Sequence, residues 1–499
     1  MEFGVSVDLD LKKNHTFKQM ALYALASIAL VVSEFALTLR FAAGIVSSVA
    51  FVGLFVLQAF ILLGLFIAMF RRVGKRREAV FALIAIPAAT AFALFLLPAH
   101  APDEAAHIAQ TVNLFARGTS GHLVPEVFSL ESADYPGTYA AAYAAVHSSS
   151  AWDDVYLCTR NLSSYLPHLY LVPYIVMGLG QVLSAPEYVA LLAARVVNGL
   201  MFVGIGYWVV RTLPFGKTSA IVYLLNPILL QQASSLSADS LVISINLAFL
   251  AYFLRCLKSG CESRQQIFLL GGLTLLSMLS KFAYAPLVLL FMLFLRHRTS
   301  GKRLYALYAG IAGTCIVAAV FLIVFYHGSF MPEAFELLRA PLEFVKVFVK
   351  SVWVMGTFWF ESYAGFNLGA LNINPWRIAC YLYMFVQVAV LFYNDDAEEP
   401  FLIFSDKLVI VIISLVEFTL IMLTMRGWTL TVDNRSDIIM GVQGRYYLPF
   451  ALLPMLCLVK PAHPLSKGRV LSVASACIAM VLVIDIMCFI MAFLPYSVA

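Results

Sequence analysis

Residues 79–107 read AVFALIAIPAATAFALFLLPAHAPDEAAH, an apolar run from Ala79 to Leu97 followed almost at once by Pro102-Asp103-Glu104-Ala105-Ala106-His107. The run is 19 residues long without a charge, close to the ~20 residues that cross a bilayer as an α-helix. It lacks period-2 alternation, so it reads as a helix rather than a barrel strand. The rest of the chain repeats this pattern. Of 499 residues, 62% are hydrophobic and only 12% charged, against roughly 25% charged in a soluble domain. A soluble globule is therefore excluded, and the expected fold is an all-α polytopic transmembrane helical bundle.

The net charge of +5 is a topology signal rather than a nucleic-acid signal. Basic residues cluster in short loops at Lys12/Lys13/Lys18, Arg71–Arg77, Arg211–Lys217, Arg255–Arg264, Arg296–Arg303 and Lys460–Arg469. Placing all of them in the cytoplasm predicts spans at 18–38, 44–70, 79–97, 188–210, 218–236, 239–256, 266–280, 283–296, 304–326, 378–394, 408–425, 446–460 and 470–493, about thirteen in all. The apolar segment 166–184 carries Pro167, Pro173, Gly178 and Gly180. Counted as a span it would invert every later loop, so it reads as a re-entrant or interfacial hairpin on the outer side. The chain then divides into 1–78 (two N-terminal helices and a basic cytoplasmic loop), 79–326 (a core with a first outer loop at 98–187), 327–377 (a second outer loop) and 378–499 (C-terminal helices with an outer loop at 426–444). Short amphipathic helices are expected in the large loops. The eight cysteines are scattered without a CxxC pair, so neither a disulfide framework nor a zinc site is inferred.

This topology gathers several polar spots on one side, each with a bland and a chemical reading. Pro102 suits the first turn of a helix, and acidic side chains just after it sit well against the positive helix end. Asp103 and His107, four apart, would share a face. A capping turn with a surface histidine is the bland account; the position just beyond a span points to binding or catalysis. Asp239, in Ser234-Ser235-Leu236-Ser237-Ala238-Asp239-Ser240, either caps a helix or faces the same site, with Gln231 and Gln232 adding polarity nearby. Lys281 stands at the outer face against the positive-inside trend, where it either snorkels to headgroups or meets an anion such as a lipid phosphate.

Gly441-Val442-Gln443-Gly444-Arg445-Tyr446-Tyr447 leads into another span. Gly444 lets the backbone approach closely, and Arg445 offers a guanidinium suited to bidentate phosphate recognition. An interfacial anchor with an aromatic belt is the alternative. Arg195 lies inside a span opposite Asn198 at i+3, where a charge must be paired or line a cavity. Together these residues fit a phosphate-bearing lipid as one substrate and a carboxylate base acting on a hydroxyl of the other.

At these residues the chain resembles the bacterial membrane proteins grouped as the domain of unknown function 2142 family. The resemblance rests on Pro102, Asp103, Glu104 and His107; on Ser235, Ser237 and Asp239; on Lys281; and on Gly441, Gln443, Gly444, Arg445 and Tyr446, over roughly residues 80 to 460. That family looks like part of the wider GT-C superfamily of integral membrane glycosyltransferases. The resemblance implies a GT-C-like bundle in which Asp103 is the catalytic base with Glu104 assisting. Lys281 and Arg445 would hold a lipid phosphate, and His107, Asp239, Gln443, Tyr446 and Arg195 would complete the substrate-binding set. The first outer loop lacks a D-x-D motif, so no metal or other cofactor is expected. The implied donor is a polyprenyl-phosphate-linked sugar and the implied acceptor an envelope glycan or glycolipid. Transfer would invert the anomeric centre, at the outer face of the inner (plasma) membrane, with the bilayer and no nucleic acid as partner. Asn374-Pro375-Trp376 is a candidate acceptor or lid segment. A transporter or flippase of lipid-linked sugars and a non-catalytic envelope-assembly protein are the rival readings.

Overall fold

The computed structural model describes residues 2–112, 136–148, 165–261, 263–295 and 340–494, apart from 395, 397, 434 and 463–468, together with a few positions between 305 and 316. The span expected at 304–326 and much of the first outer loop lie outside the described residues. Within them the chain is helical: α1 (Glu2–Ala42), α2 (Ser48–Val73), α3 (Arg77–Phe95), α4 (Glu104–Val112), α5 (Tyr139–Val146), α6 (Leu171–Val182), α7 (Glu187–Thr212), α8 (Lys217–Leu224), α9 (Pro227–Ala233), α10 (Ala238–Ser259) and α11 (Arg264–Ser280). A 3-10 helix Phe282–Leu295 follows. Beyond it come α12 (Pro341–Ala364), α13 (Arg377–Phe392), α14 (Phe404–Val432), a 3-10 turn Gly444–Tyr447, α15 (Leu452–Leu456) and α16 (Arg469–Phe493).

Seven helices among the described residues are long and apolar enough to cross a membrane: Phe17–Ala42 of α1, α2, α3, α7, α10, Phe404–Leu430 of α14, and α16. Burial sorts them. The apolar windows of α3 and α10 are 83% and 89% buried, whereas none of α2 is. A helix that is apolar all round belongs either in a protein core or against lipid, so α3 and α10 form the core and α2 faces lipid. Helix α3 packs on α1, α7 and α16, and α10 packs on α7 and α11. Rings of Phe92 and Phe489 meet edge to face at 5.2 Å between α3 and α16.

The remaining expected spans show why composition alone misjudges helix length. The stretch 218–236 is broken at Asn226–Pro227: Pro227 opens α9, and Asn226 Oδ1 accepts from the N–H groups of Ile228 and Leu229 at 2.8 and 3.2 Å. The stretch 446–460 is built from a 3-10 turn and the short α15. The 14-residue segment Phe282–Leu295 is a 3-10 helix, whose rise of ~2.0 Å per residue carries it about 28 Å. The segment 166–184 is not a hairpin. It is a 3-10 turn leading into α6, and 12 helical residues rise only about 18 Å, too short to span; α6 turns back to pack along α7. The second outer loop, expected to hold short helices, carries the 24-residue α12.

The bundle has two chemically distinct ends. At one, the basic loops meet the acidic stretch 394–399: Arg77 Nε lies 3.1 Å from Asp396, Lys258 pairs with Glu398, Asp396 accepts from the Lys217 N–H, and Asn394 binds the Lys460 carbonyl at 3.1 Å. Helices α3, α7 and α10 all run between this end and the other, where Asp103, Arg195 and Asp239 sit.

Candidate functional site

Four charged side chains from distant parts of the sequence converge at that second end. Arg445, 4% exposed, is their hub. Its guanidinium pairs with the Asp103 carboxylate, lies 3.4 Å from Asp239 Oδ2, and donates to the Pro102 carbonyl at 3.0 Å and to Gln232 Oε1 at 3.4 Å. Lys281, at the end of α11, donates to the Tyr165 hydroxyl at 2.9 Å. The Tyr446 ring has Lys281 Nζ 4.6 Å and Arg445 Cζ 5.1 Å from its centroid, so two cations share one π face system.

Local backbone explains each placement. Glycine at 444 is obligatory: a Cβ there would sit 2.1 Å from the Tyr363 nitrogen and 2.5 Å from its Cα. The close approach is sealed by the Gly444 N–H donating to Ser362 Oγ at 2.8 Å, which holds Arg445 against the end of α12. Asp103 is not in the first helical turn, as Pro102 had suggested. It has φ +60°, the left-handed region where Asp is one of the few tolerated residues, and α4 starts at Glu104. The Asp103 carbonyl still accepts from the His107 N–H at 3.3 Å. Asp239 does not cap α10. Ser237 is the cap, accepting the Asp239 N–H at 3.1 Å, and this frees the Asp239 carboxylate to face Arg445 and the Tyr165 hydroxyl.

The adjacent carboxylates have parted company. Asp103 is 60% exposed at the side chain, whereas Glu104 is fully buried, 2.9 Å from Arg195 Nε and accepting the Leu236 N–H at 2.8 Å. Arg195 was expected opposite Asn198; instead Asn198 donates to the Ser235 carbonyl at 2.8 Å. Arg195 is occupied by Glu104 and by the Leu96 carbonyl. This inner pair fastens the Pro102–Glu104 loop to α7 and to the α9–α10 turn.

Charge and burial set the protonation states. Burial pushes the Asp103 carboxyl up, but Arg445 beside it, with His107 and Lys281 nearby, outweighs that and holds it below the usual aspartate range. Burial pushes the His107 imidazole down to about 4, so it is neutral at pH 7 and shares a 2.6 Å hydrogen bond with the Tyr170 hydroxyl. Burial, followed by the neighbouring Asp239 charge, keeps the Tyr165 phenol well above its ordinary pKa. Two carboxylates, two cations and neutral hydroxyls leave the cluster near zero net charge, with Asp103 open at its rim.

Of the nine site residues read from the sequence, Asp103, His107, Asp239, Lys281, Arg445 and Tyr446 meet in one cluster and Gln443 lies beside it. Glu104 and Arg195 form the supporting pair behind it. Tyr165, Tyr170 and Asn367 were not foreseen, because uncharged residues in polar, aromatic-rich loops carry no positional signal.

Comparison with known families places this arrangement. Residues 87–454 match the model of a family described as a predicted membrane protein, DUF2142. The chain belongs to the DUF2142 family. The matched region opens within α3 and closes within α15, so it contains every member of the charged cluster. The DUF2142 match leaves α1, α2 and α16 outside it. No curated protein and no solved structure matches the chain.

Proposed function

We propose that the chain is a membrane glycosyltransferase of GT-C type, moving a sugar from a polyprenyl-phosphate carrier to an envelope glycan or glycolipid at the outer face of the plasma membrane. The observation that carries the reading is the meeting of Asp103, Asp239, Lys281 and Arg445 at the end of the bundle opposite the basic loops. The positive-inside rule assigns the basic end to the cytoplasm, which turns the cluster outward.

In this reading the acceptor hydroxyl attacks the anomeric carbon as the bond from that carbon to the phosphate oxygen breaks. The hydroxyl proton passes to Asp103 and then to solvent, and the polyprenyl phosphate departs with the additional negative charge. A carboxylate whose basicity Arg445 holds down takes the proton only as the hydroxyl acidifies in the transition state. Lys281 is bonded to a neutral phenol rather than a carboxylate, so its charge is the one most available to the departing phosphate. Glu104 and Arg195 act as positioning residues.

Purified protein in detergent, given polyprenyl-phosphate sugars and an acceptor, should release polyprenyl phosphate without any second compartment. Asp103→Asn should slow that release by about 10²-fold or more. A folded wild-type protein that transfers nothing, yet moves lipid-linked sugar across vesicle membranes, would replace this reading with the flippase one. The broken span at Asn226–Pro227 favours that rival, since transporters place such breaks at their binding sites. Here, however, Asn226 is satisfied by its own cap and by donation to the Tyr363 carbonyl at 3.0 Å, and the charged groups gather at the bundle end instead.

A further inference from the structure

Next to Arg445 lies a small cleft of about 190 Å³, walled by Pro102, Gln232, Asn367, Leu371, Gln443 and Arg445. Four buried polar atoms on these walls have no hydrogen-bond partner: Gln232 Nε2, Asn367 Oδ1, Gln443 Oε1 and Arg445 Nε. Gln232 and Arg445 are themselves 0% and 4% exposed. Buried polar groups are nearly always satisfied, and leaving one unmade is costly, so four orphans on one cleft call for a ligand that meets them. The outer wall is also strained. Leu371 has φ +68° and Gly369 φ +63°, and the loop is pinned by Gln231, whose amide both donates to and accepts from the Gly369 backbone at 3.0 and 2.8 Å. Backbone held in such regions clusters at binding sites.

The chemistry of the walls narrows the ligand. Three of the four orphans belong to primary amides, which offer donors and acceptors with no net charge and therefore match hydroxyl groups. The charge of Arg445 is already met by Asp103 and Asp239, and an anionic ring would be repelled by those carboxylates. The volume falls below the roughly 300–1,000 Å³ of clefts for drug-sized ligands, which suits one ring rather than a chain.

We propose that this cleft binds a single uncharged pyranose ring, its hydroxyls read by the amides of Gln232, Asn367 and Gln443. That this ring is the transferred sugar rests on the glycosyltransferase reading; that the cleft binds it does not.

The test uses the purified full chain and neutral methyl pyranosides (gluco, galacto, manno and N-acetylglucosamine), with methyl glucuronide as the charged comparator. Saturation-transfer NMR measures binding, and thermal unfolding of the ligand-free protein is followed in parallel. At least one neutral glycoside should bind saturably and ahead of the glucuronide. Asn367→Leu and Gln443→Leu should each weaken it by about tenfold, the equivalent of one lost hydrogen bond. Because each substitution removes an orphan, the ligand-free unfolding midpoint should hold or rise; a structural role for these amides would lower it.

Absence of saturable binding to folded wild type, a preference for the glucuronide, or binding untouched by both variants would overturn the proposal. Asp103→Asn separates the two claims. Binding retained with transfer lost supports both, whereas binding retained with transfer also retained sinks the catalytic role of Asp103 and leaves the cleft assignment standing.

Discussion

Asp103 and Glu104 are neighbours with opposite fates, and their difference is testable. Replacing Glu104 with Gln leaves Arg195 charged and buried, and breaking a buried pair costs about 3–5 kcal/mol, so the thermal midpoint should drop sharply. Asp103→Asn removes a half-exposed partner and should change stability by no more than ~1 kcal/mol while abolishing transfer. Equal destabilisation by the two variants would refute this division. The pair could be seen in the sequence as two carboxylates beyond a span. Which one stays exposed could not, because it turns on the left-handed backbone of Asp103 and on an arginine almost a hundred residues away. His107 supplies a pH prediction. The unfolded imidazole binds a proton below about 6.5, the folded one only below about 4. Between those values unfolding takes up a proton, so stability falls as pH falls, by up to roughly 3 kcal/mol in total. Midpoints measured from pH 7 to 4 should show this slope in wild type and a shallower one in His107→Gln.

At the scale of elements, the site depends on irregular pieces wedged between regular helices. The long apolar helices α3, α7 and α10 were legible from hydropathy. The breaks inside 218–236 and 446–460 were not, because a window of apolar residues gives the same signal whether its backbone is α, 3-10 or interrupted. Asn226-Pro227 did carry the local signature of a cap followed by a first-turn proline. Asn226→Ala should cost about 1 kcal/mol through the lost cap, and loosen α9 against α12 as the bond to the Tyr363 carbonyl goes. Gly444 was legible for the right reason, a close backbone approach. Gly444→Ala forces a Cβ into the Tyr363 backbone, overpacking that costs about 1–3 kcal/mol. It should also displace Arg445, so transfer should fall even where the protein still folds. Retained transfer in a folded Gly444→Ala protein would mean that Arg445 does not need this docking.

For the whole molecule, the charge pattern carried more than any single motif: basic loops at one end and the mixed-charge cluster at the other follow from reading the sequence by the positive-inside rule. The acidic stretch 394–399 that binds those basic loops went unread, since acidic residues contribute little to that rule. Orientation is directly measurable. In a background with the native cysteines replaced, Arg435→Cys should react with a membrane-impermeant thiol reagent in intact cells, and Glu399→Cys should react only after permeabilisation. The reverse would turn the cluster to the cytoplasm and remove its envelope substrates. The central claim, that the Asp103–Arg445 cluster transfers a sugar at the cell envelope, is tested most directly by the glycan and lipid-linked sugar profile of a strain lacking the gene, complemented by wild type or by Asp103→Asn. The account predicts that one sugar decoration disappears and returns only with wild type, both proteins being present at equal levels in the membrane. Full restoration by Asp103→Asn would contradict it.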